Sequence, residues 1–420
     1  MTSLQFSILF ISALLSTTFV HIWLARRQIN HIQAHRNEVP SYFNRQITLP
    51  EHQKAADYTR EKTQLTVLIS PLNALLLLIL TIGGAIQWIS DMWQKIFTNS
   101  LAQGMAVILT VLLFSSLLEM PFSFYRTFVI EARYGFNKMT LATYLTDIVK
   151  GLALGAILGL PLLFGMLWLM EFMGANWWLY AWGAWVTFNL LILFIYPSFI
   201  APQFNKFTRL TDVALTQRID ALLQKCGFTA QGLFVMDGSK RTSHGNAYFT
   251  GFGTTKRIVF FDTLLERLTP PEIEAVLAHE LGHFKCHHVL KRIVITFLFS
   301  LCLLLLIARL TQENWFHTGL GIITPSTALT LLLCFMVLPV FSFLLHPIMS
   351  YYSRKHEFEA DAYAAQQTDA STLGNALVKM YQDNAATLTP DPLYSMFYDS
   401  HPPALVRIAQ LNKLKGGAHE

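Results

Sequence analysis

His279, Glu280 and His283 are the residues of this chain whose types and spacing are best suited to chemistry, because they form the pattern H-E-x-x-H. On an α-helix, residues four apart share a face, so two imidazoles can bind one zinc ion while the neighbouring glutamate acts as a base on water. The same pattern also arises by chance on helices that bind no metal. The preceding stretch 269–272, Thr-Pro-Pro-Glu, is a typical helix start, so it favours the zinc interpretation by placing both histidines in mid-helix.

A catalytic zinc site needs a third protein ligand, and the segment 353–363 contains the best candidate. On a helix, Glu357 and Asp361 lie one turn apart on one face, so Glu357 can bind zinc while Asp361 accepts a hydrogen bond from a ligand imidazole. His356 and Glu359 lie on other faces of the same helix. The plainer interpretation of this segment is a charged helix at the membrane boundary.

Other ligand patterns fit less well. A metzincin carries a third histidine in H-E-x-x-H-x-x-G-x-x-H, and position 289 is a valine. Cys286 follows His283 closely, but its thiolate competes with a better ligand in Glu357. The four cysteines are scattered and predict neither a disulfide framework nor a cysteine-based zinc site. His287, one turn past His283, either supports a ligand or is a solvated or capping residue.

The chain is too apolar for a typical soluble enzyme of its length, since 53% of its 420 residues are hydrophobic and 14% are charged. Apolar runs of roughly 20 residues, the length that crosses a bilayer, predict seven transmembrane helices. They lie at about 4–24, 64–90, 103–125, 148–171, 177–200, 292–311 and 325–348. The first run lacks a basic leader and a cleavage site, so we interpret it as a retained anchor.

Basic residues in the connecting segments predict the orientation. Segments 25–63 and 126–147 carry several Lys and Arg residues, whereas 91–102 has a single lysine and 172–176 and 312–324 have none. The positive-inside rule then places the N-terminus outside and the H-E-x-x-H helix in the cytoplasm. The net charge of +5 follows from the same bias. The sequence contains no basic stretch interleaved with aromatic residues, so nothing in it indicates nucleic-acid binding.

The predicted fold is a mainly α membrane protein with a cytoplasmic α+β domain that carries the H-E-x-x-H helix. Two β-prone runs, Asn246–Phe249 and Arg257–Phe261, flank a glycine-containing turn at 251–253 and predict a hairpin. We divide the chain into a membrane region of five helices (1–200), a cytoplasmic zinc segment (201–291), two further transmembrane helices (292–348) and a C-terminal segment with the third ligand (349–420).

Several stretches in their shared order make the chain resemble a known family, the type I CAAX prenyl proteases, which are integral-membrane zinc metallopeptidases related to HtpX. Besides the H-E-x-x-H residues, the stretches are Phe128–Asn137, Ile195–Pro202, Ser243–Phe249, Phe261–Leu264, Ser353–Asp361 and Ser400–Pro403. The resemblance covers nearly the whole length. It implies a seven-helix chamber with a large water-filled cavity in the membrane, closed on its cytoplasmic side by the zinc domain.

The resemblance also implies one Zn²⁺ per chain, held by His279, His283 and Glu357, in agreement with the spacing. It implies that His401 stabilises the oxyanion of the tetrahedral intermediate and that Arg407 contacts the backbone or carboxylate of the substrate. Without the resemblance, His401 is typical of a turn and Arg407 of a solvated helix.

By the same resemblance, the strand formed by Asn246, Ala247, Tyr248 and Phe249 pairs with the substrate as an added β-strand. The expected partners are therefore the lipid bilayer and a peptide or protein that is prenylated or otherwise tethered to the membrane. The expected location is a bacterial inner membrane or an endoplasmic-reticulum-type membrane, with the catalytic site facing the cytoplasm.

The resulting hypothesis is a zinc endopeptidase of CAAX type, in which Glu280 acts as the base and cleavage occurs near the C-terminus of a lipidated substrate. One alternative within the same chemistry is a quality-control peptidase with broad membrane-protein substrates. An alternative from another class is a transporter or lipid-binding chamber with a structural zinc. A structural zinc needs no neighbouring base, so the presence of Glu280 argues against that class.

Overall fold

Seven apolar helical stretches are long enough to cross a membrane in the computed structural model, which describes residues 1–250 and 257–416. The predicted number of spans is therefore confirmed. The helices of the N-terminal part are α1 (Ser3–Ala34), α2 (Leu49–Leu80), α3 (Ala85–Gln94), α4 (Ser100–Tyr125), α5 (Leu141–Phe172), α6 (Trp177–Ile195) and α7 (Ala201–Phe204). Two wider π-helical turns, Arg126–Glu131 and Tyr196–Ile200, extend α4 and α6.

The remaining elements alternate between a small sheet and further helices. They are β1 (Phe207–Arg209), α8 (Val213–Cys226), β2 (Leu233–Met236), β3 (Ala247–Thr250), β4 (Arg257–Phe261), α9 (Asp262–Leu265), α10 (Pro270–Lys285), α11 (His288–Leu310), α12 (Asn314–Gly319), α13 (Thr327–Ser342), α14 (His346–Gln367), α15 (Ala370–Asp383), α16 (Pro392–Tyr398) and α17 (Ala404–Gly416).

Two predicted spans have different bounds in the structure. The second span, predicted at about 64–90, ends at Leu80, and Gly84 with a φ of 78° turns the chain into the separate helix α3. Composition does not reveal this break, because the sequence stays apolar across it. The last span, predicted at about 325–348, continues as one helical stretch from Thr327 to Gln367. The segment with Glu357 is therefore a continuation of a membrane helix.

The membrane helices leave most of their apolar surface exposed. In six of the seven spans, only 11–22% of the apolar window is buried inside the protein, against 56% in the last span. One apolar core joins the ends of these helices far from the sheet, and includes Phe10, Leu167 and Leu333. A second core, around Ile219, Phe260 and Leu281, holds the sheet and α10 together.

The sheet has the strand order β1-β2-β4-β3. The pair β3 and β4 is antiparallel, with Ala247 opposite Phe260, so the predicted hairpin strands are confirmed while their glycine turn lies outside the described residues. The strands β1 and β2 escaped prediction because they are only three and four residues long. Within the described residues, β3 pairs with one neighbour and is an edge strand.

The helix α10 begins with a capping box in which Glu272 accepts hydrogen bonds from the backbone N–H and the hydroxyl of Thr269, each at 2.8 Å. Lys379 of α15 donates a further hydrogen bond of 2.8 Å to the same carboxylate. Burial alone raises the pKa of Glu272, but the hydrogen bonds from Lys379 and Thr269 outweigh burial and lower that pKa. The start of α10 is thereby fixed to its surroundings.

Further along α10, Gly282 is in backbone contact with α14. A Cβ atom placed on Gly282 would lie 2.9 Å from both the Cα atom and the carbonyl oxygen of Ala360. These atoms belong to a helix backbone and cannot rotate away. The glycine is therefore required for the close approach of the two helices.

We expect Gly282→Ala to lower the free energy of unfolding by about 1–3 kcal/mol, because the added methyl group forces the two helices apart. The matched control is Gly374→Ala in α15, where an added Cβ lies 3.9 Å from Ile408 in ordinary contact. This control is expected to be neutral or stabilising, since alanine favours a helix over glycine. Unfolding midpoints of both variants in detergent test the expectation, and equal midpoints would contradict it.

Candidate active site

Helices α10 and α14 bring together the three residues predicted to bind a metal. The Nε2 atoms of His279 and His283 are 3.3 Å apart. Glu357 Oε2 lies 3.5 Å from Nε2 of His279, and Glu357 Oε1 lies 3.4 Å from Nε2 of His283. The two imidazole nitrogens and the carboxylate group thus form a small triangle, in which each carboxylate oxygen faces one nitrogen.

The triangle fits a tetrahedral metal site. Donors about 2.0–2.1 Å from a zinc ion lie about 3.3–3.4 Å from one another at the tetrahedral angle, which matches the observed edges. Glu357 Oε2 is also buried without a well-formed hydrogen bond, although His401 Nδ1 lies 2.8 Å away. A buried carboxylate oxygen in that state is costly unless a cation binds it. The donor set of two imidazoles and one carboxylate therefore suits a metal ion.

Asp361, predicted to support a ligand imidazole, lies 2.8 Å from Nδ1 of His279 and is completely buried. Arg407 binds the same carboxylate through Nε and Nη2, each at 2.7 Å. Arg407 Nη2 also lies 3.1 Å from Nδ1 of His279, but a guanidinium can only donate hydrogen bonds, whereas a carboxylate accepts them. We therefore place a proton on Nδ1 of His279, which donates it to Asp361. The lone pair of His279 Nε2 then points to Glu357 and His283.

The electrostatics of His279 follow from these contacts. Burial and the charge of Arg407 both disfavour a protonated imidazole, but the hydrogen bonds with Asp361 and Glu357 outweigh them and raise the pKa of His279. A proton and a metal ion therefore compete for Nε2. The pKa of the Arg407 guanidinium is also raised, because its pairing with Asp361 outweighs the cost of burial.

His288 and Glu359 orient the second ligand and were not identified from the sequence. Nδ1 of His288 lies 3.0 Å from Nδ1 of His283, and Nε2 of His288 lies 2.9 Å from Glu359 Oε2. Because the carboxylate accepts the Nε2 proton of His288, the Nδ1 of His288 is left to accept the proton of His283 Nδ1. Nε2 of His283 is then free to bind a metal.

Periodicity could not have revealed these two residues. His288 follows the end of α10, and the left-handed backbone of His287 (φ 58°) turns the chain so that His288 lies back against His283. His356, placed on another helical face by the sequence, stacks on His288 with ring centroids 3.9 Å apart. His287 itself is exposed at the N-cap position of α11, which agrees with a solvated residue.

Glu280 and His401 line a cavity of about 450 Å³ together with His279 and Glu357. Glu280 is half-buried and makes no hydrogen bond or ion pair with any residue that the structure describes. His401 keeps 66% of its side chain exposed. Both groups are therefore accessible to a molecule in the cavity. Arg407 also lines the cavity but is only 5% exposed, and its guanidinium is bound to Asp361.

The predicted substrate strand borders the same cavity. Asn246 lines it, whereas Ala247, Tyr248 and Phe249 of β3 do not contribute to its lining among the described residues. Phe261 N–H donates to the carbonyl of Asn246 at 2.9 Å, so the alternation of an antiparallel ladder directs the backbone groups of Ala247 and Phe249 away from β4. In the described part of the chain, the edge of β3 away from β4 is therefore unpaired, and it begins beside the cavity.

A further polar cluster at the cavity was not predicted. It consists of Tyr58, Lys62, Glu131 and His244, of which Tyr58, Lys62 and His244 line the cavity. The hydroxyl of Tyr58 donates to Glu131 at 2.5 Å and accepts from Lys62 at 3.3 Å. Because Tyr58 and Lys62 belong to α2, the cavity connects the metal ligands with a membrane helix.

Two family models together match almost the whole chain. A model described as the CAAX prenyl protease N-terminal domain, with five membrane helices, matches residues 28–206. A model of peptidase family M48 matches residues 209–415, which contain the three metal-binding candidates and Glu280. Membership of this metallopeptidase family implies a metal ion at the site.

Relatives and a solved structure agree. The chain is 35% identical over 399 residues to the probable CAAX prenyl protease 1 of Schizosaccharomyces pombe, covering 91% of this chain and 83% of the relative. It is 31% identical over 432 residues to the CAAX prenyl protease 1 homolog of Dictyostelium discoideum, covering 97% of each. The crystal structure of S. mikatae Ste24p superposes with a TM-score of 0.90 at 29% identity, covering 97% of this chain and 99% of that chain. The chain therefore belongs to peptidase family M48, as an integral multi-pass membrane metalloendopeptidase of the CAAX prenyl protease type.

Proposed function

We propose that this protein cleaves prenylated proteins near their C-terminus with a single zinc ion bound by His279, His283 and Glu357. The observation that carries the proposal is the shared cavity, which is lined both by His279 and Glu357 and by Tyr58 and Lys62 of a membrane helix. A substrate held in the bilayer by a lipid can therefore reach the site without leaving the membrane surface. The donor set and its edges of 3.3–3.5 Å support zinc.

The residues around the site have separate roles in this proposal. Zinc, when bound, lowers the pKa of a coordinated water and polarises the scissile carbonyl. Glu280 takes a proton from the attacking water and delivers it to the leaving amine, which its free carboxylate at the cavity permits. His401 is exposed at the cavity, with Nδ1 2.8 Å from Glu357 and Nε2 without a partner among the described residues. An imidazole that carries a proton on Nε2 can donate it to the oxyanion.

Asp361 and Arg407 keep the first ligand in place. Asp361 holds the proton of His279 at Nδ1, and Arg407 neutralises the charge of that carboxylate. Arg407 Nη1 also lies 3.5 Å from Glu357 Oε2, so the same guanidinium limits the repulsion between the two buried carboxylates. A contact between Arg407 and the substrate remains part of the proposal, since the residue lines the cavity.

The substrate binds, in this proposal, as an additional strand on the free edge of β3. Phe249 offers a backbone N–H and carbonyl that β4 does not use, whereas Ala247 offers its carbonyl, because its N–H donates to Oδ1 of Asn246 at 2.8 Å. Asn246 lies at the cavity end of the strand. The side chains of Tyr248 and Phe249 are partly buried in the protein. Burial raises the pKa of Tyr248 to about 12, and the ring of Phe249 packs against that of Phe284, with centroids 5.1 Å apart.

Two features of the fold support the proposed chamber and orientation. The apolar windows of six spans are only 11–22% buried, which is expected if the helices enclose an open interior instead of one another. Arg27 at the end of α1 binds Asp391 of the C-terminal part at 2.9 Å, so the basic end of the helices and the catalytic domain lie on the same side. The positive-inside rule makes that side cytoplasmic.

A farnesylated C-a-a-X peptide should be cleaved in detergent with release of the terminal tripeptide, and its unprenylated twin should be cleaved more slowly. A zinc chelator should abolish both reactions, and added zinc should restore them. Mass spectrometry of the products is the measurement. A spread of fragments without preference for the lipid would instead support a quality-control peptidase, and no cleavage of either peptide by the zinc-loaded protein would contradict the proposal.

Glu280→Gln should reduce kcat by about 100-fold or more, because the amide cannot accept a proton, while zinc content stays near one per chain. The matched control is Glu274→Gln on the same helix, where the carboxylate pairs with Arg218 away from the cavity. Cleavage rates and metal analysis of the same preparations separate the two effects. Full activity of the Glu280 variant would rule out its role as the base.

His288→Gln should weaken zinc binding by about 10–100-fold, because His283 loses the acceptor that fixes its Nδ1 proton. His287→Gln is the matched control, since the neighbouring histidine is exposed and lies outside the metal cluster. Competition with a chromophoric chelator gives the zinc affinity without reference to activity. Equal affinities of the two variants would exclude the proposed orienting role.

A further inference from the structure

Lys62 is a positive charge in the cavity that the proposed reaction does not use. It belongs to α2, is exposed, and lines the same cavity as Glu280 and His401. Its Nζ atom donates one hydrogen bond, of 3.3 Å, to the hydroxyl of Tyr58 and lies 4.6 Å from the centre of the Tyr58 ring. No carboxylate lies within 4.0 Å of Nζ in the described part of the chain. An ammonium group has three donors, so Lys62 can still bind an anion.

The other charged groups that line the cavity are less suited than Lys62 to bind an anion. Two carboxylates, Glu280 and Glu357, line the cavity and repel a negatively charged ligand. Arg407 is the second cation of the described lining, but its Nε and Nη2 bind Asp361 at 2.7 Å and it is 5% exposed. A peptide that enters with a free C-terminal carboxylate therefore needs a cation away from these groups, and Lys62 is the exposed cation of the described lining.

A chain of contacts connects Lys62 to the start of β3. Lys62 contacts Tyr58, and Tyr58 donates to Glu131. His244 Nε2 lies 3.7 Å from the other oxygen of Glu131, and His244 stacks on Phe136 with ring centroids 4.6 Å apart. The neighbouring backbone is fixed as well, since Ser243 N–H donates to the carbonyl of Phe136 at 3.2 Å. Lys62 is thus held near the residues that precede β3.

The direction of an added strand decides which end of the peptide meets this cluster. A peptide that pairs antiparallel with β3 runs opposite to it, so its C-terminal end lies beside the residues that come before Ala247. These are His244, Gly245 and Asn246, all of which line the cavity. The cavity of about 450 Å³ is of the size that holds a small ligand, so it accommodates a short C-terminal segment of the peptide.

We propose that Lys62 binds the free α-carboxylate of the substrate and thereby favours cleavage of bonds close to a C-terminus. The inference rests on the proposed function and adds the group that recognises the end of the peptide. Tyr58 positions the ammonium group, and Glu131, whose oxygens face Tyr58 and His244, keeps Tyr58 in place. Lys62 is a residue for specificity and takes no part in bond cleavage.

The experiment compares two substrates that differ in one group. Farnesylated C-a-a-X peptides with a C-terminal carboxylate and with a C-terminal carboxamide are cleaved by the full-length wild type and by Lys62→Met. The matched control is Lys54→Met, because Lys54 belongs to the same helix and lies over an aromatic ring, that of Phe136 at 4.8 Å, without lining the cavity. The measured quantity is the ratio of kcat/KM for the acid to kcat/KM for the amide.

Wild type and Lys54→Met should prefer the acid by about tenfold or more, as expected for a charge-assisted hydrogen bond. In Lys62→Met the ratio should fall to near one, chiefly through a higher KM for the acid. A ratio that stays at the wild-type value in Lys62→Met overturns the inference, as does a wild type without preference. Because each ratio is taken within one preparation, a loss of folded protein lowers both rates equally and does not by itself alter the ratio. Failure of the proposed function would instead appear as no cleavage of either peptide by wild type.

Discussion

The contact between Gly282 and Ala360 is the constraint on which the catalytic geometry depends. Backbone atoms of α10 and α14 approach so closely that a methyl group on Gly282 would lie 2.9 Å from the α14 backbone. At this separation, donor atoms of His279 and His283 from one helix and of Glu357 from the other come within 3.3–3.5 Å. A wider separation of α10 and α14 would lengthen the distances between Glu357 and the two histidines. The glycine inside the H-E-x-x-H pattern therefore permits the short distance between the two helices that carry the candidate ligands.

Close packing alone does not stabilise such a site, because it buries several charges. Two carboxylates, Glu357 and Asp361, are 5% and 0% exposed, and like charges in such a place repel strongly. Arg407 lies between them and contacts both, at 3.5 Å and 2.7 Å. The helix α17, which carries Arg407, therefore contributes to the metal site although it offers no ligand. The packing of α17 against α14 and α15 therefore also holds Arg407 beside the two buried carboxylates.

The sequence predicted those features that depend on short-range periodicity. The face shared by His279 and His283, and that shared by Glu357 and Asp361, follow from helical spacing, and both pairs lie together in the structure. The seven apolar stretches follow from composition. Periodicity could not predict His288, because a single left-handed residue redirects the chain after α10. It also could not place Lys62 at the cavity or Glu131 against Tyr58, since Lys62 and Glu131 come from separate helical stretches whose mutual position is set by tertiary packing. The break after Leu80 was missed for a related reason, as apolar residues continue on both sides of it.

The residues around the cavity differ in how firmly they are held, and the difference follows the roles proposed for them. His279 and His283 must keep one geometry throughout a catalytic cycle, and each has a partner for Nδ1 that fixes its ring. Glu280 and His401 must exchange protons and hydrogen bonds as the substrate changes, and neither is enclosed by partners in the described structure. A base that was already hydrogen-bonded would have to break that bond before each transfer, which would raise the barrier. The protein thus concentrates its buried hydrogen bonds on the groups that must remain still and leaves the reacting groups accessible to the peptide.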